Sequence, residues 1–154
     1  MIFEIHPKQI FSENTYLAAG LMYKTVKGRK TKVGHLYKRP DVRNYQEKIE
    51  HELYSNYAQY IRDNESFFSN GKYKTRFHYF LKDTLNRRDL TNMKKLVEDS
   101  FTNVVKKVLK GLKSKYSFDD SHIYETHDRK FQMDKDSEKE LIRIHIEWLT
   151  DQTY

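Results

Sequence analysis

The chain contains no cysteine, five glycines and two prolines, and no apolar stretch approaches the ~20 residues needed to cross a bilayer. The first absence excludes disulfides and Cys-ligated zinc and is compatible with a cytoplasmic setting. With no membrane span and no signal-peptide pattern at the start, no membrane partner and a cytoplasmic location are expected. The sparse glycines form neither a phosphate-cradling loop nor a Gly-x-Ser-x-Gly elbow. His145-Ile146-Glu147 has the form of half a zinc-deaminase signature, but the other half requires cysteines that are not there. The seven histidines show no metal-ligand spacing, and no catalytic role is assigned to them. Internal repeats and low-complexity tracts are also missing.

What is present is aromatic and charged. Hydrophobic residues make up 37% of the 154, and charged residues 33%. Nine Phe, twelve Tyr and Trp148 offset the low apolar content, because each aromatic ring buries a large area. This length suits one domain with a real core, expected to span residues 1–154.

The net charge of +7 is unevenly placed. Between Met22 and Lys48 lie nine basic residues (Lys24, Lys27, Arg29, Lys30, Lys32, Lys38, Arg39, Arg43, Lys48) against Asp41 and Glu47. That segment carries the whole imbalance, and the rest of the chain is neutral. A run of charge is usually a solvated face, but such concentration fits a polyanion-binding patch, with nucleic acid as the expected partner.

Hydrophobic spacing gives the elements. Met1–His6 is expected as a short strand ended by Pro7. Leu21–Val26 and Lys32–Tyr37 are expected to pair around a basic Gly28-Arg29-Lys30 turn. Pro40 opens a helix whose stripe is Val42, Tyr45, Ile49, Leu53, Tyr57 and Ile61. Residues 63–71 have turn chemistry, and Tyr73–Leu81 alternates as a strand with Phe77 and Tyr79 on one face. A second helix, with Leu90, Met93, Val97, Phe101, Val104 and Val108 as its stripe, is expected to reach about Leu112, with Gly111 as its stop signal. Ser121–His127 is expected as a strand, Asp128–Glu138 as a polar loop, and Leu141–Leu149 as a strand pairing with the preceding one in a hairpin. The expected fold class is α+β: one domain, a mixed sheet of about five or six strands and two main helices.

Two acidic stretches carry the candidate chemistry. The first is Arg88-Asp89-Leu90-Thr91-Asn92, with Lys95 and Asp99 following on the same helix. Either Asp89 or Thr91 can cap that helix. The second is Phe118-Asp119-Asp120-Ser121-His122-Ile123, two carboxylates ahead of a strand. In order and type these stretches resemble the RusA family of Holliday junction resolvases, with Asn14-x-Tyr16 and the Leu36-Tyr37-Lys38 to Arg43-Asn44-Tyr45-Gln46 passage extending the likeness over most of residues 1–148. Thr91 stands where the family's helix motif has a second aspartate.

The resemblance implies a dimeric endonuclease that cuts four-way DNA junctions using Mg²⁺ or Mn²⁺, often of phage or prophage origin. Its implied metal ligands are Asp89, Asp99, Asp119 and Asp120, with Asp89, Lys95 and Asp120 catalytic. Hard cations take such oxygen ligands, and a lysine can neutralise a scissile phosphate. The expected DNA-contacting set joins Asn14, from the resemblance, to Lys24, Lys27, Arg29, Lys30, Lys32, Lys38 and Arg39 of the basic run. The expected arrangement has Asp89 and the Asp119/Asp120 pair converging where helix and sheet ends meet. Two alternatives stand beside this: a RusA-like DNA-binding protein without cleavage, which Thr91 would signal, and a phage protein that reuses the fold to act through a protein partner.

Overall fold

The computed structural model describes residues 1–12, 17–83 and 89–150. Asn14 and the 84–88 link lie outside that set, as do the side chains of residues 17–22 and 35–38. In chain order the elements are β1 (Ile2–Ile5), β2 (Leu17–Val26), β3 (Arg29–Lys38), α1 (Pro40–Asp63), a 3₁₀ turn (Glu65–Ser69), β4 (Tyr73–Leu81), α2 (Leu90–Gly111), a 3₁₀ turn (Asp120–His122), β5 (Ile123–Gln132) and β6 (Leu141–Trp148). The α+β class and the mixed sheet are as the sequence leads one to expect.

The strands divide into two sheets. Four form the main one in the order β1-β6-β4-β5, while β2 and β3 form a separate two-stranded ribbon. Residues on β4 alternate strictly between buried and half-buried: Tyr73, Thr75, Phe77, Tyr79 and Leu81 point inward. Ile142, Ile144 and Ile146 do the same on β6, and Phe3 and Ile5 on β1. This period of two places a single apolar face against the helices. On that face α1 contributes Val42, Ile49, Leu53 and Ile61, and α2 contributes Met93, Val97, Phe101, Val104 and Val108. Phe118 packs edge-on against Phe68, Tyr73 and Phe101, with centroids 5.5–5.9 Å apart, and joins the far end of α2 to the sheet.

Three expectations are corrected. The last two strands do not form a hairpin: β5 runs parallel to β4, and β6 lies antiparallel between β1 and β4. Parallel neighbours need a long crossover, and the β4–α2–β5 connection supplies it. Secondly, the first five residues of the expected 128–138 loop are strand. Asp128–Gln132 extend β5 because Phe77–Leu81 offer it a ladder of backbone partners, a stabilisation that a mostly polar edge sequence does not advertise. Thirdly, Gly111 ends α2, but the left-handed position is Lys113 (φ 52°), where Ser114 N–H reaches the Leu109 carbonyl at 3.0 Å.

One buried carboxylate holds three segments together. Glu140, 1% exposed, accepts hydrogen bonds from the backbone N–H of Ile10 (2.6 Å) and of Lys82 (3.0 Å), while its own N–H donates to the Pro7 carbonyl (2.8 Å). Replacing Glu140 with Gln turns one acceptor oxygen into an NH₂ facing a buried N–H. Chemical denaturation should then show a stability loss of about 1–3 kcal/mol, and Glu140→Ala a larger one.

Candidate nucleic-acid interface

The ribbon is built by a two-residue turn. Lys27 (φ 49°) and Gly28 (φ 76°) both occupy the left-handed region, the I′ geometry whose twist matches a hairpin. Glycine is needed there because a side chain in that backbone region is strained, although there is open space around it. The turn is tighter than the sequence suggested, so Arg29 and Lys30 belong to β3. Val26 pairs with Arg29, Thr25 with Lys30, Lys24 with Thr31 and Tyr23 with Lys32. Directly opposed residues share a face, so Lys24 and Arg29 lie on one side and Lys30 and Lys32 on the other. Lys27 sits at the tip. All five are exposed, and residues 23–34 include no acid. Ten residues per strand make a ribbon roughly 30 Å long.

Two other members of the expected DNA-contacting set fall wholly or partly outside the described residues. Lys38 ends β3, with its side chain outside the described residues, and Asn14 lies outside them altogether. Arg39 is engaged: its guanidinium donates to Asp41 at 2.6 and 3.2 Å beside the start of α1.

The mouth of α2 holds the first acidic motif. Asp89 is the N-cap; its Oδ1 accepts from Thr91 N–H at 2.7 Å. Ser12 Oγ accepts from Asp89 N–H (2.9 Å) and donates to the Asp89 carbonyl (3.3 Å), fastening the pre-ribbon segment to this helix end. Lys95 donates to Asp99 Oδ1 at 2.9 Å one turn apart, so these two mutually offset their charge.

Asp119 and Asp120 lie elsewhere. Asp119 pairs with Lys106 at 2.5 Å and caps the 3₁₀ turn by accepting from Ser121 N–H at 3.4 Å, while its own N–H donates to His122 Nδ1 at 3.2 Å. A hydrogen bond with the Asp120 carboxyl, and then the Lys106 ammonium, hold the Asp119 carboxyl well below the ordinary carboxylate range. Lys106 is 17 residues beyond Asp89 on an unbroken helix, about 25 Å along the axis at ~1.5 Å per residue. The expected convergence of Asp89 with Asp119/Asp120 is therefore not formed. The helix is too long, and it delivers the two motifs to its opposite ends.

As a consequence, the implied ligand set does not make one Mg²⁺ site. Among the described residues no three carboxylate or imidazole side chains are gathered closely enough to hold a metal ion. Asp89 retains an oxygen beyond its cap, whereas Asp99 is paired with Lys95 and Asp119 with Lys106.

A half-buried polar layer, absent from the sequence-based expectations, lies under the start of α2. Lys94 and Glu98 pair at 3.6 Å. Asp128, on the helix-facing side of β5, has a buried Oδ1 with no hydrogen-bond partner, and the buried Tyr79 hydroxyl likewise has none. Burial raises the pKa of Asp128 and of Glu98, with Lys94 opposing in both cases, and raises Tyr79 well above its usual value. The alternation of Thr126, Asp128 and Lys130 was the available signal, obscured by the polarity of all three.

No protein-family model matches this chain, and no curated protein does so either.

A carboxyl with a raised folded-state pKa takes up a proton on folding, so stability falls as pH rises through the window between the unfolded and folded values. Asp128→Asn removes a poorly solvated charge while keeping the shape. Its melting temperature should exceed the wild type's near pH 7, and the difference should vanish as Asp128 is protonated in acid. Thermal scans across pH check this; a wild-type advantage near neutrality would show that the Lys94 attraction outweighs burial.

Proposed function

We propose that this protein binds DNA, with the β2–β3 ribbon as its principal contact. The observation that carries the proposal is five exposed Lys and Arg side chains, on both faces and the tip of a narrow ribbon, with no acid among them. A two-stranded ribbon fits the major groove, and charge on both faces suits a position between two phosphate strands. Branched DNA is the proposed target, in keeping with the RusA resemblance, and a homodimer the proposed state. A four-way junction has two-fold symmetry that a two-fold protein pair can match, and no described helix covers the second face of the main sheet. No described helix is long and apolar enough to cross a membrane, and a cytoplasmic site of action completes this reading.

Cleavage is the second reading. It is supported by the Asp89 cap at the opening of α2, which leaves one Asp89 oxygen outside the cap, with Lys95 following about 9 Å further along the helix. Mg²⁺ often uses one or two carboxylates and completes its shell with water and substrate phosphates. Asp89 would hold such an ion, which would supply charge neutralisation at the phosphate; Lys95 would neutralise a neighbouring phosphate oxygen on leaving Asp99. Asp119 and Asp120 have no part in that site.

Neutralising Lys27, Arg29, Lys30 and Lys32 together should weaken junction binding and lower the slope of log affinity against log salt by up to about 3–4, at roughly 0.9 per phosphate contact. Native gels over a salt series measure this, and sedimentation of the complex should count two chains per junction. An unchanged slope would move the contact surface elsewhere.

For the second reading, Asn caps a helix about as well as Asp, so Asp89→Asn should keep the fold and junction binding. On a denaturing gel with Mg²⁺, any junction cleavage should drop to background in Asp89→Asn and survive in Asp120→Asn. Loss in Asp120→Asn alone would place the chemistry at the other end of α2, and no nicking by the wild type would leave the binding reading.

A further inference from the structure

The segment leading into the ribbon lies over α1 and encloses a half-open cavity of about 580 Å³, within the range of ~300–1,000 Å³ typical of small-ligand sites. None of the residues discussed above for cleavage or ribbon contact lines it. Its apolar side includes Phe11 and Tyr45, whose rings stack with centroids 4.8 Å apart and planes 22° from parallel. Tyr45 is buried and fixes the orientation of Phe11, which remains half-exposed at the cavity wall.

The polar side is cationic. Lys8, Lys48 and Lys139 all line the cavity, and none has an ion pair or hydrogen bond among the described residues. The two carboxylates in the lining are already occupied. Asp41 is held by Arg39 at 2.6 Å, and Glu52 accepts from the His6 backbone N–H at 2.8 Å and faces His6 Nδ1 at 3.3 Å. Three lysines thus line the space against the one carboxylate, Glu52, that has no cation fixed on it, an excess of positive charge, and lysine is a common phosphate partner. Asn44 adds an amide, donor and acceptor together, with no partner among the described residues.

We propose that this groove binds a nucleotide group, its base stacked on Phe11 and its phosphate held by Lys8, Lys48 and Lys139. A flat aromatic platform beside free ammonium groups is the combination that protein surfaces use for unpaired bases. A simple carboxylate would satisfy the lysines but leave the platform and the Asn44 amide without a role. The inference rests on this cavity and not on the ribbon. The same chemistry can arrive as a free nucleotide or as an unpaired nucleotide of a nucleic-acid strand, and the two sources separate experimentally.

Calorimetric titration of the full chain should use three probes: deoxyadenosine 5′-monophosphate, deoxyadenosine, and a 5′-phosphorylated strand of six deoxyadenosines. Lys8→Ala combined with Lys48→Ala should weaken the phosphate-bearing probes at least tenfold and leave deoxyadenosine unchanged. Phe11→Leu keeps apolar volume without a flat ring, and should weaken all probes that bind by roughly 5- to 150-fold, the range of one base–aromatic stack. The ribbon variant with Lys27, Arg29, Lys30 and Lys32 neutralised should bind the monophosphate as the wild type does, which separates failure of the groove from failure of the ribbon. Binding of the monophosphate assigns the groove to a free nucleotide; binding of the strand alone assigns it to nucleic acid. No saturable binding of either, or binding indifferent to the groove variants, overturns the proposal. Loss with the lysines but not with Phe11→Leu overturns it too, reducing the groove to a plain anion site.

Discussion

The Glu140 carboxylate is the constraint on which the placement of both candidate surfaces depends. A buried charge is tolerated only where hydrogen bonds replace its water, and here the replacements come from two distant stretches of backbone, Ile10 and Lys82. The first fixes the segment that continues through Phe11 and Ser12 towards the ribbon. The second fixes the end of β4, from which the chain passes into α2. Ser12 then closes the circuit by bonding to Asp89 in both directions. The groove beside α1 and the cap of α2 are therefore held by one short run of residues pinned at two points.

The length of α2 decides the chemistry. A parallel neighbour for β4 obliges the chain to travel back along the sheet, and α2 does so in one continuous helix of 22 residues. Motifs at the two ends of such a rod cannot share an ion. What gathers instead beneath the opening of α2 is Lys94, Glu98, Asp128 and Tyr79, carried by two strands and a helix. These side chains are polar, poorly solvated and only partly compensated, an arrangement that costs stability and couples it to pH. Their exposed counterparts on the helix, Lys95 and Asp99, are paired and held on the surface.

Charge is divided between elements in a comparable way. On the main sheet, basic residues are matched within the open face, as Arg143 is by Glu4 at 2.8 Å and Arg76 by Glu147 at 2.6 Å. Among the described residues the ribbon has no such matching, and the groove lysines have none either. What sets the ribbon apart is five basic side chains with no acid between residues 23 and 34, and what sets the groove apart is lysines beside an aromatic wall; phosphate is the partner chemistry proposed for both on those grounds.

Much of this was legible in the residue order. Tyr73–Leu81, Leu141–Trp148 and both helices follow from apolar spacing, because a half-buried element must repeat its apolar residues with its own period. The ribbon follows from a basic run around a glycine turn, and the Asp89 cap from a residue type that bonds its own helix start. Tertiary structure alone decided the rest. Asp128–Gln132 became strand because a neighbour's backbone was there to pair with it. Asp119 and Asp120 were parted from Asp89 because adjacency in a motif sets no distance across 22 helical residues. Phe11, Lys8, Lys48 and Lys139 share one cavity because a buried carboxylate far along the chain folds the first segment over α1. Local periodicity and propensity are properties of neighbouring residues, and they are written in the sequence. Pairing partners, burial of charge and the meeting of distant side chains depend on which surfaces the whole chain has left to cover, and only the folded structure supplies them.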